Sequence, residues 1–329
     1  MHFNAAGTEI RVVIMQVHKY EHEAMSTRFE LMVRCEDESI AHSAAWRVFQ
    51  QIDKLEQLLS RFMDGSDVNV LSHLKPGETY RVAPETMELL LTATQVCAAT
   101  RGAFDVTVGA VMDLLREVKH RWQALTAEEL TQALKTCGMN RLIIDRENYL
   151  VAVSADRSGG ELPVKLDFGA IAKGYALDAA AQMLREDWDF NDFLVHAGTS
   201  TVIAYGSMDA IEEGWPVSVG GDWQRRAGLD AVRLSGGALS GSGFEVKGAH
   251  VVDARRGVAA TQYPATWAYA PRASLADALS TAALGMNWHE IETACAEIAE
   301  SGVMVVRNQA EWLDKLRRPI RICGEFPRV

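Results

Sequence analysis

Five stretches of strand character follow one another in the second half of the chain, with no helical periodicity between them: residues 193–204, 217–220, 232–239, 250–253 and 266–270. A doubly wound parallel sheet would alternate strands with helices, so this strand-after-strand run predicts an α+β fold instead. The flanking segments agree. Residues 26–34 alternate Thr27, Phe29, Leu31 and Val33 and read as a strand. Residues 38–62 form a long amphipathic helix, with Ile40, Ala44, Val48, Ile52, Leu55 and Leu59 on one face. A second helix over 84–100 is closed by Gly102, and Thr126 with Glu129 forms a capping box for a helix ending near Gly138. A hairpin over 141–154 turns at 145–148. Helices over 274–285 and 288–300 precede a last strand, 303–307. The 329 residues can bury a sizeable core in one large domain or in two lobes that share a cleft. No linker or internal repeat divides them, so residues 1–329 are read as one unit.

Charge narrows the partners. The net charge of −11 argues against nucleic acid, whose binders carry a basic face, yet leaves room for a local basic pocket that would take a pyrophosphate. No apolar stretch approaches the ~20 residues needed to span a bilayer. The first twenty residues lack the basic flank and apolar run of a signal peptide, and no cysteine is placed to carry a lipid, so a cytoplasmic protein is expected. The five cysteines, Cys35, Cys97, Cys137, Cys295 and Cys323, are scattered; no CxxC pair exists, and reduced thiols are expected.

Four short runs could carry chemistry. In the first, an extended segment over 162–167 ends on Asp167, small residues turn the chain over 168–174, and a helix follows over 175–185. Backbone N–H groups at such a turn can approach a phosphate, and Lys173 adds charge. A plain strand-to-helix connection with a surface lysine reads equally well; the Walker A spacing is absent. In the second run, Asp277 and Thr281 share a helix face. With a nearby carbonyl they would make a hard-oxygen site for Mg2+. The rival reading is a helix start capped by Ser274 and Asp277. The third run places His250 at the head of the apolar pair Val251-Val252, as a general base or as a structural histidine, before a turn at Asp253 to Gly257. The fourth, Gly102-Ala103-Phe104-Asp105, would meet a flat ring, or is a helix C-cap followed by a core phenylalanine.

The order of these runs resembles the FAD:protein FMN transferase family, the ApbE-type proteins once called thiamine-biosynthesis lipoproteins. The landmarks are Met25-Ser26-Thr27, then Leu59-Ser60-Arg61-Phe62 with Ser66, then Gly102-Ala103-Phe104-Asp105. Next come Leu166 through Gly174 with Asp178, the stretch from Gly248 to Gly257 around His250, and Ala276-Asp277-Ala278-Leu279-Ser280-Thr281-Ala282. Residues 1–24 lie outside the resemblance. It implies a T-fold-like antiparallel sheet and helices in two lobes, with FAD in the cleft. It also implies that Met25, Phe62, Ala103, Phe104, Asp105, Asp167, Lys173 and Val251 contact FAD. The Ala170 carbonyl, Asp277 and Thr281, with Ser280 beside them, would hold Mg2+, and His250 would be the base. The activity implied is transfer of FMN from FAD to a threonine or serine hydroxyl of a partner flavoprotein, with release of AMP. Its rivals are an FAD pyrophosphatase giving FMN and AMP and a non-catalytic FAD-binding protein. Three places depart from the family's usual pattern. Gly198-Thr199-Ser200 stands where Gly-Gly-Asp is common, Asp253-Ala254 where Asp-Pro is common, and Ser72 where asparagine is frequent.

Overall fold

The structure, a computed structural model, describes residues 15–155, 162–219, 231–244, 251–307 and 320–327. Strands β1 (Gln16–Ala24) and β2 (Thr27–Cys35) form a hairpin, and α1 (Glu38–Leu59) follows. Then come α2 (Asp67–Leu71), β3 (Thr79–Arg81), α3 (Pro84–Ala99), α4 (Gly109–Glu117) and α5 (Ala127–Leu134). Strands β4 (Leu142–Asp145) and β5 (Leu150–Val153) precede α6 (Ala172–Glu186). A run of strands comes next: β6 (Phe193–Ala197), β7 (Thr201–Tyr205), β8 (Trp215–Ser218), β9 (Ala231–Leu234) and β10 (Ala238–Gly243). It continues with β11 (Val252–Asp253), β12 (Val258–Ala259) and β13 (Ala265–Ala270). Helices α7 (Ala273–Ala283) and α8 (Trp288–Glu297) and strands β14 (Gly302–Val306) and β15 (Ile320–Gly324) complete the described chain.

An eight-stranded sheet in the order β1-β2-β6-β7-β10-β13-β14-β15 is the frame, and every neighbouring pair in it is antiparallel. The α+β expectation therefore holds. Alternation along each strand divides its side chains between two faces. Phe193, Val195, Val303 and Val305 pack with buried residues of α1, α3, α6 and α7. Leu194, Met304 and Val306 point the other way, toward Trp215, Val232 and Leu234 of the β8–β9 hairpin. Strands β6, β7 and β14 are thus buried on both sides, and their sequences are nearly unbroken apolar runs.

That burial explains the main misreading. The expected single strand over 193–204 is two strands, with the chain reversing at Gly198-Thr199-Ser200. Gly198 sits at φ +58°, and a Cβ there would lie 2.4 Å from Thr27 Oγ1, so the reversal needs glycine both for its backbone and for the space. The extended segment 162–167 is present but belongs to no sheet. Its backbone is held by loop partners instead: Gly109 N–H donates to the Lys165 carbonyl (3.0 Å) and Asp167 N–H to that of Val106 (2.7 Å). On α1, Ile40 is 46% exposed, and Ala41 takes the buried place assigned to it. The capping box of Thr126 and Glu129 forms as expected, but its helix stops at Leu134, short of Gly138.

Candidate active site

The site is organised where α6 crosses α7. A Cβ on Gly174 would lie 2.3 Å from the carbonyl oxygen of Ala273 and 2.7 Å from Ser274 Cα, so the two backbones are in direct contact. At that crossing the helices cap one another. The free Gly174 N–H in the first turn of α6 donates to Asp277 Oδ2 of α7 (3.2 Å). In return, Asp178 of α6 accepts the Ala273 N–H (2.5 Å), the Ser274 N–H (3.1 Å) and the Ser274 hydroxyl (2.5 Å) at the start of α7. Helix N-termini leave their first N–H groups without intrahelical partners, and a carboxylate there also complements the helix dipole. This arrangement corrects one sequence reading. Asp277 does not cap its own helix; Asp178 does that from the neighbouring helix. The turn over 168–174 is also shorter than expected, because α6 begins at Ala172 and Lys173 lies in its first turn. We expect Gly174→Ala to push the two helices apart and to lower stability by about 1–3 kcal/mol. Chemical denaturation would measure this, and an unchanged midpoint would show that the crossing yields freely.

Asp277 lies at the centre of a buried set of hydroxyls. Its side chain is 4% exposed. Oδ1 faces Thr201 Oγ1 at 3.4 Å and Ser240 Oγ at 3.3 Å, and Lys173 Nζ lies 3.6 Å from Oδ2. These contacts sit at or beyond the long end of hydrogen-bond range, so the carboxylate is loosely held for so buried a group. The Ser280 and Thr281 hydroxyls both donate back to the Asp277 carbonyl (3.0 and 2.9 Å). Their lone pairs remain available, and Ser242 Oγ lies 2.9 and 3.3 Å from them. Lys173 Nζ also donates to the Gly169 carbonyl (2.8 Å), beside half-buried Ala170. Among the described residues no group of three or more His, Cys, Asp or Glu side chains is placed to hold a metal. A metal here would rest on one carboxylate with neutral oxygens. That donor set fits Mg2+, which keeps several waters and takes substrate phosphates as ligands. Thr201, Ser240 and Ser242 were not singled out from the sequence. Their signal was there in part, since small hydroxyl residues in an apolar strand need polar partners.

Beside this lies a cluster with net positive charge in an acidic protein. Arg61 donates to Asp167 Oδ2 (2.6 Å), to Asp113 Oδ1 (2.8 Å) and to the Gly109 carbonyl (3.2 Å). Lys165 and Arg116 also reach Asp113, at 2.9 and 3.2 Å. The Arg116 guanidinium lies 4.7 Å from the ring centre of Phe62, which is 70% exposed. Asp167 accepts the Gly169 N–H as well (2.8 Å) and so ties this cluster to the turn before α6. Met25, at φ +50° in the β1–β2 turn, packs on the main core, and its neighbour Thr27 abuts Gly198.

The remaining candidates are more committed to the protein itself. Ala103 and Phe104 are buried in the core at 4% exposure each. Asp105 accepts the Thr107 N–H (2.8 Å) and hydroxyl (2.6 Å) and the Met139 N–H (3.1 Å). Burial pushes its pKa up against those three bonds. The Val251 carbonyl accepts the Ala260 N–H (2.9 Å). His250, with Gly248 and Ala249 of the same run, lies outside the described residues. The turn after it is clamped by an ion-pair network. Asp253, 1% exposed, takes both Arg255 (2.9 Å) and Arg256 (2.7 Å), and Arg255 reaches Glu290 (2.5 Å). Burial pushes the Asp253 carboxyl up, but the two guanidiniums outweigh it and hold the pKa below the usual range. A group with its folded pKa lowered stabilises the protein above its unfolded pKa, and the contribution is lost as pH falls through the folded value. Asp253→Asn should therefore cost about 1–3 kcal/mol at neutral pH, since it removes the charged partner of the half-buried Arg255, which keeps Glu290, and of the exposed Arg256. The gap to wild type should close below about pH 4. Denaturation curves across that range check this; a gap independent of pH would mean the pairing contributes little.

The profile of the ApbE family matches residues 25–305. A protein of Klebsiella pneumoniae (strain 342) named FAD:protein FMN transferase is 22% identical over 298 residues, covering 87% of this chain and 83% of its own length. Among solved structures, the flavin transferase ApbE from Vibrio cholerae superposes with a TM-score of 0.78 at 16% identity, over 95% of this chain and 98% of its own. An ApbE protein of Thermotoga maritima gives a TM-score of 0.73 at 26% identity, covering 91% and 99%. The fold is therefore shared across nearly the whole chain.

Proposed function

This chain belongs to the ApbE family, and from that membership we propose that it transfers FMN from FAD to a threonine or serine hydroxyl of a partner flavoprotein, releasing AMP. The observation that carries the proposal is the loosely held, buried Asp277 carboxylate ringed by hydroxyls and faced by Lys173. Asp277, Thr281, Ser280 and the Ala170 carbonyl would hold Mg2+, which when bound neutralises charge on pyrophosphate oxygens. Lys173, in the first turn of α6, would add its charge at the same place. Phe62, Asp167, Val251, Met25 and the main chain of Ala103, Phe104 and Asp105 would contact FAD in a cleft between two lobes. Arg61, Arg116 and Lys165, which cluster around Asp113 and Asp167, would lie on the side of that cleft next to Asp167. His250 would take the proton of the acceptor hydroxyl. The hydroxyl oxygen then bonds to the phosphorus on the FMN side, the pyrophosphate P–O bond breaks, and AMP leaves with the electron pair.

Incubating the protein with FAD and Mg2+, with and without an acceptor fragment, tests this. The proposal expects AMP release that depends on acceptor, together with flavin fluorescence on the acceptor band of a denaturing gel. AMP formed equally well without acceptor would make the protein a pyrophosphatase. Intact bound FAD would make it a carrier.

A further inference from the structure

The scattered cysteines do not remain scattered in the fold. Cys295 on α8 and Cys323 on β15, 28 positions apart, bring their Sγ atoms to 3.2 Å. The geometry points to an oxidisable pair at which a disulfide between Cys295 and Cys323 clamps the edge strand β15 to α8.

Three observations meet here. First, β15 is the last strand of the sheet and pairs only with β14 among the described strands, so a covalent tie to α8 would hold an edge that main-chain hydrogen bonds hold from one side. Second, the two elements are already aligned. Arg321 of β15 lies over the Trp288 ring of α8 at 3.9 Å and within 3.6 Å of Glu292. Closing the gap to the disulfide length of about 2.05 Å needs a small local shift. Third, the pair differs in kind from the other thiols. The two thiols lie within hydrogen-bond distance of each other, and either can donate, so a thiolate formed on one is stabilised by the thiol of the other. Burial instead pushes Cys97 and Cys137 up to about 12, far from reactive thiolate character. Cys323 is half-buried and Cys295 is buried, so Cys323 is the sulfur that meets an oxidant first.

A low-molecular-weight disulfide such as oxidised glutathione supplies the oxidising equivalents. The Cys323 thiolate attacks one of its sulfurs, a mixed disulfide forms, and one glutathione thiolate leaves. Cys295 loses its proton as it attacks Cys323 Sγ, the Cys295–Cys323 bond forms, and the second glutathione thiolate leaves. Two protein thiols become one disulfide, the oxidant becomes two thiols, and the two thiol protons end on those products.

The test treats the full-length protein with oxidised or reduced glutathione, then alkylates it, digests it and records its melting. Oxidation should remove two of the five alkylation sites and yield a peptide linking Cys295 to Cys323. It should raise the melting midpoint by roughly 4–8 °C, with no rise in Cys295→Ser or Cys323→Ser. Both cysteines still open to alkylation, or a stable glutathione adduct on Cys323, would overturn the proposal. So would a bridge with an unchanged midpoint, which removes the clamp. The peptide readout on wild type decides the matter even if a serine variant folds poorly.

Discussion

Asp277→Ala should abolish Mg2+-dependent AMP release while the protein stays folded. Electrostatic neutralisation at a pyrophosphate is worth several kcal/mol, so the rate should fall by about 10³-fold or more. The fold should survive because the start of α7 is capped by Asp178, which the substitution leaves alone. Lys173 keeps its bond to the Gly169 carbonyl. Asp277→Asn sharpens the reading, since it retains the volume and an acceptor oxygen for Thr201 and Ser240 but not the charge. Both variants should be inactive at any Mg2+ concentration that saturates the wild type. An active Asn variant would show that Asp277 serves packing rather than the metal, and the hard-oxygen site would lose its only carboxylate among the described residues.

The second large effect is expected at His250. His250→Asn should lower acceptor-dependent AMP release by about 10²–10⁴-fold, the usual loss on removing a general base, with FAD affinity in a titration little changed. A histidine that only binds FAD would show the reverse, a weaker dissociation constant and a preserved rate at saturation. Asp253 cannot stand in for it. Its carboxylate is 1% exposed and shared by two arginines, and a carboxylate so stabilised in its charged form is a poor proton acceptor. Near wild-type turnover in the Asn variant would move the base to another group altogether.

Local periodicity made much of the fold legible. The apolar stripe of α1 and the capping box of α5 depend on residues within a few positions of one another, and both were readable. Pairings between distant segments were not. The pairing of β2 with β6 joins residues 160 or more positions apart, and nothing in either segment alone names the other. The β6–β7 reversal was hidden because both strands are buried on both faces, which removes the alternation that marks strand ends. At the site, the family's motif order pointed to Asp277, Thr281 and Lys173. The Thr201, Ser240 and Ser242 hydroxyls were invisible to it, because their meaning comes from α7, where Asp277 meets Thr201 and Ser240 and where Ser280 and Thr281 meet Ser242. The Asp178 cap was visible only as a landmark of the family resemblance and not as a role, since it acts on a helix 95 positions away.

The crossing of α6 and α7 also bears on when the site comes into being as the chain folds. Asp277 meets Gly174, Thr201 and Ser240 across sequence separations of 103, 76 and 37 residues. Contacts of such range form only after the loops between them have closed, and proteins dominated by them fold slowly. In a refolding experiment, helical signal should return early, from α1 and α3 with their local stripes. Binding competence should return with the slowest phase, when the central strands have paired and Gly174 has seated against Ala273.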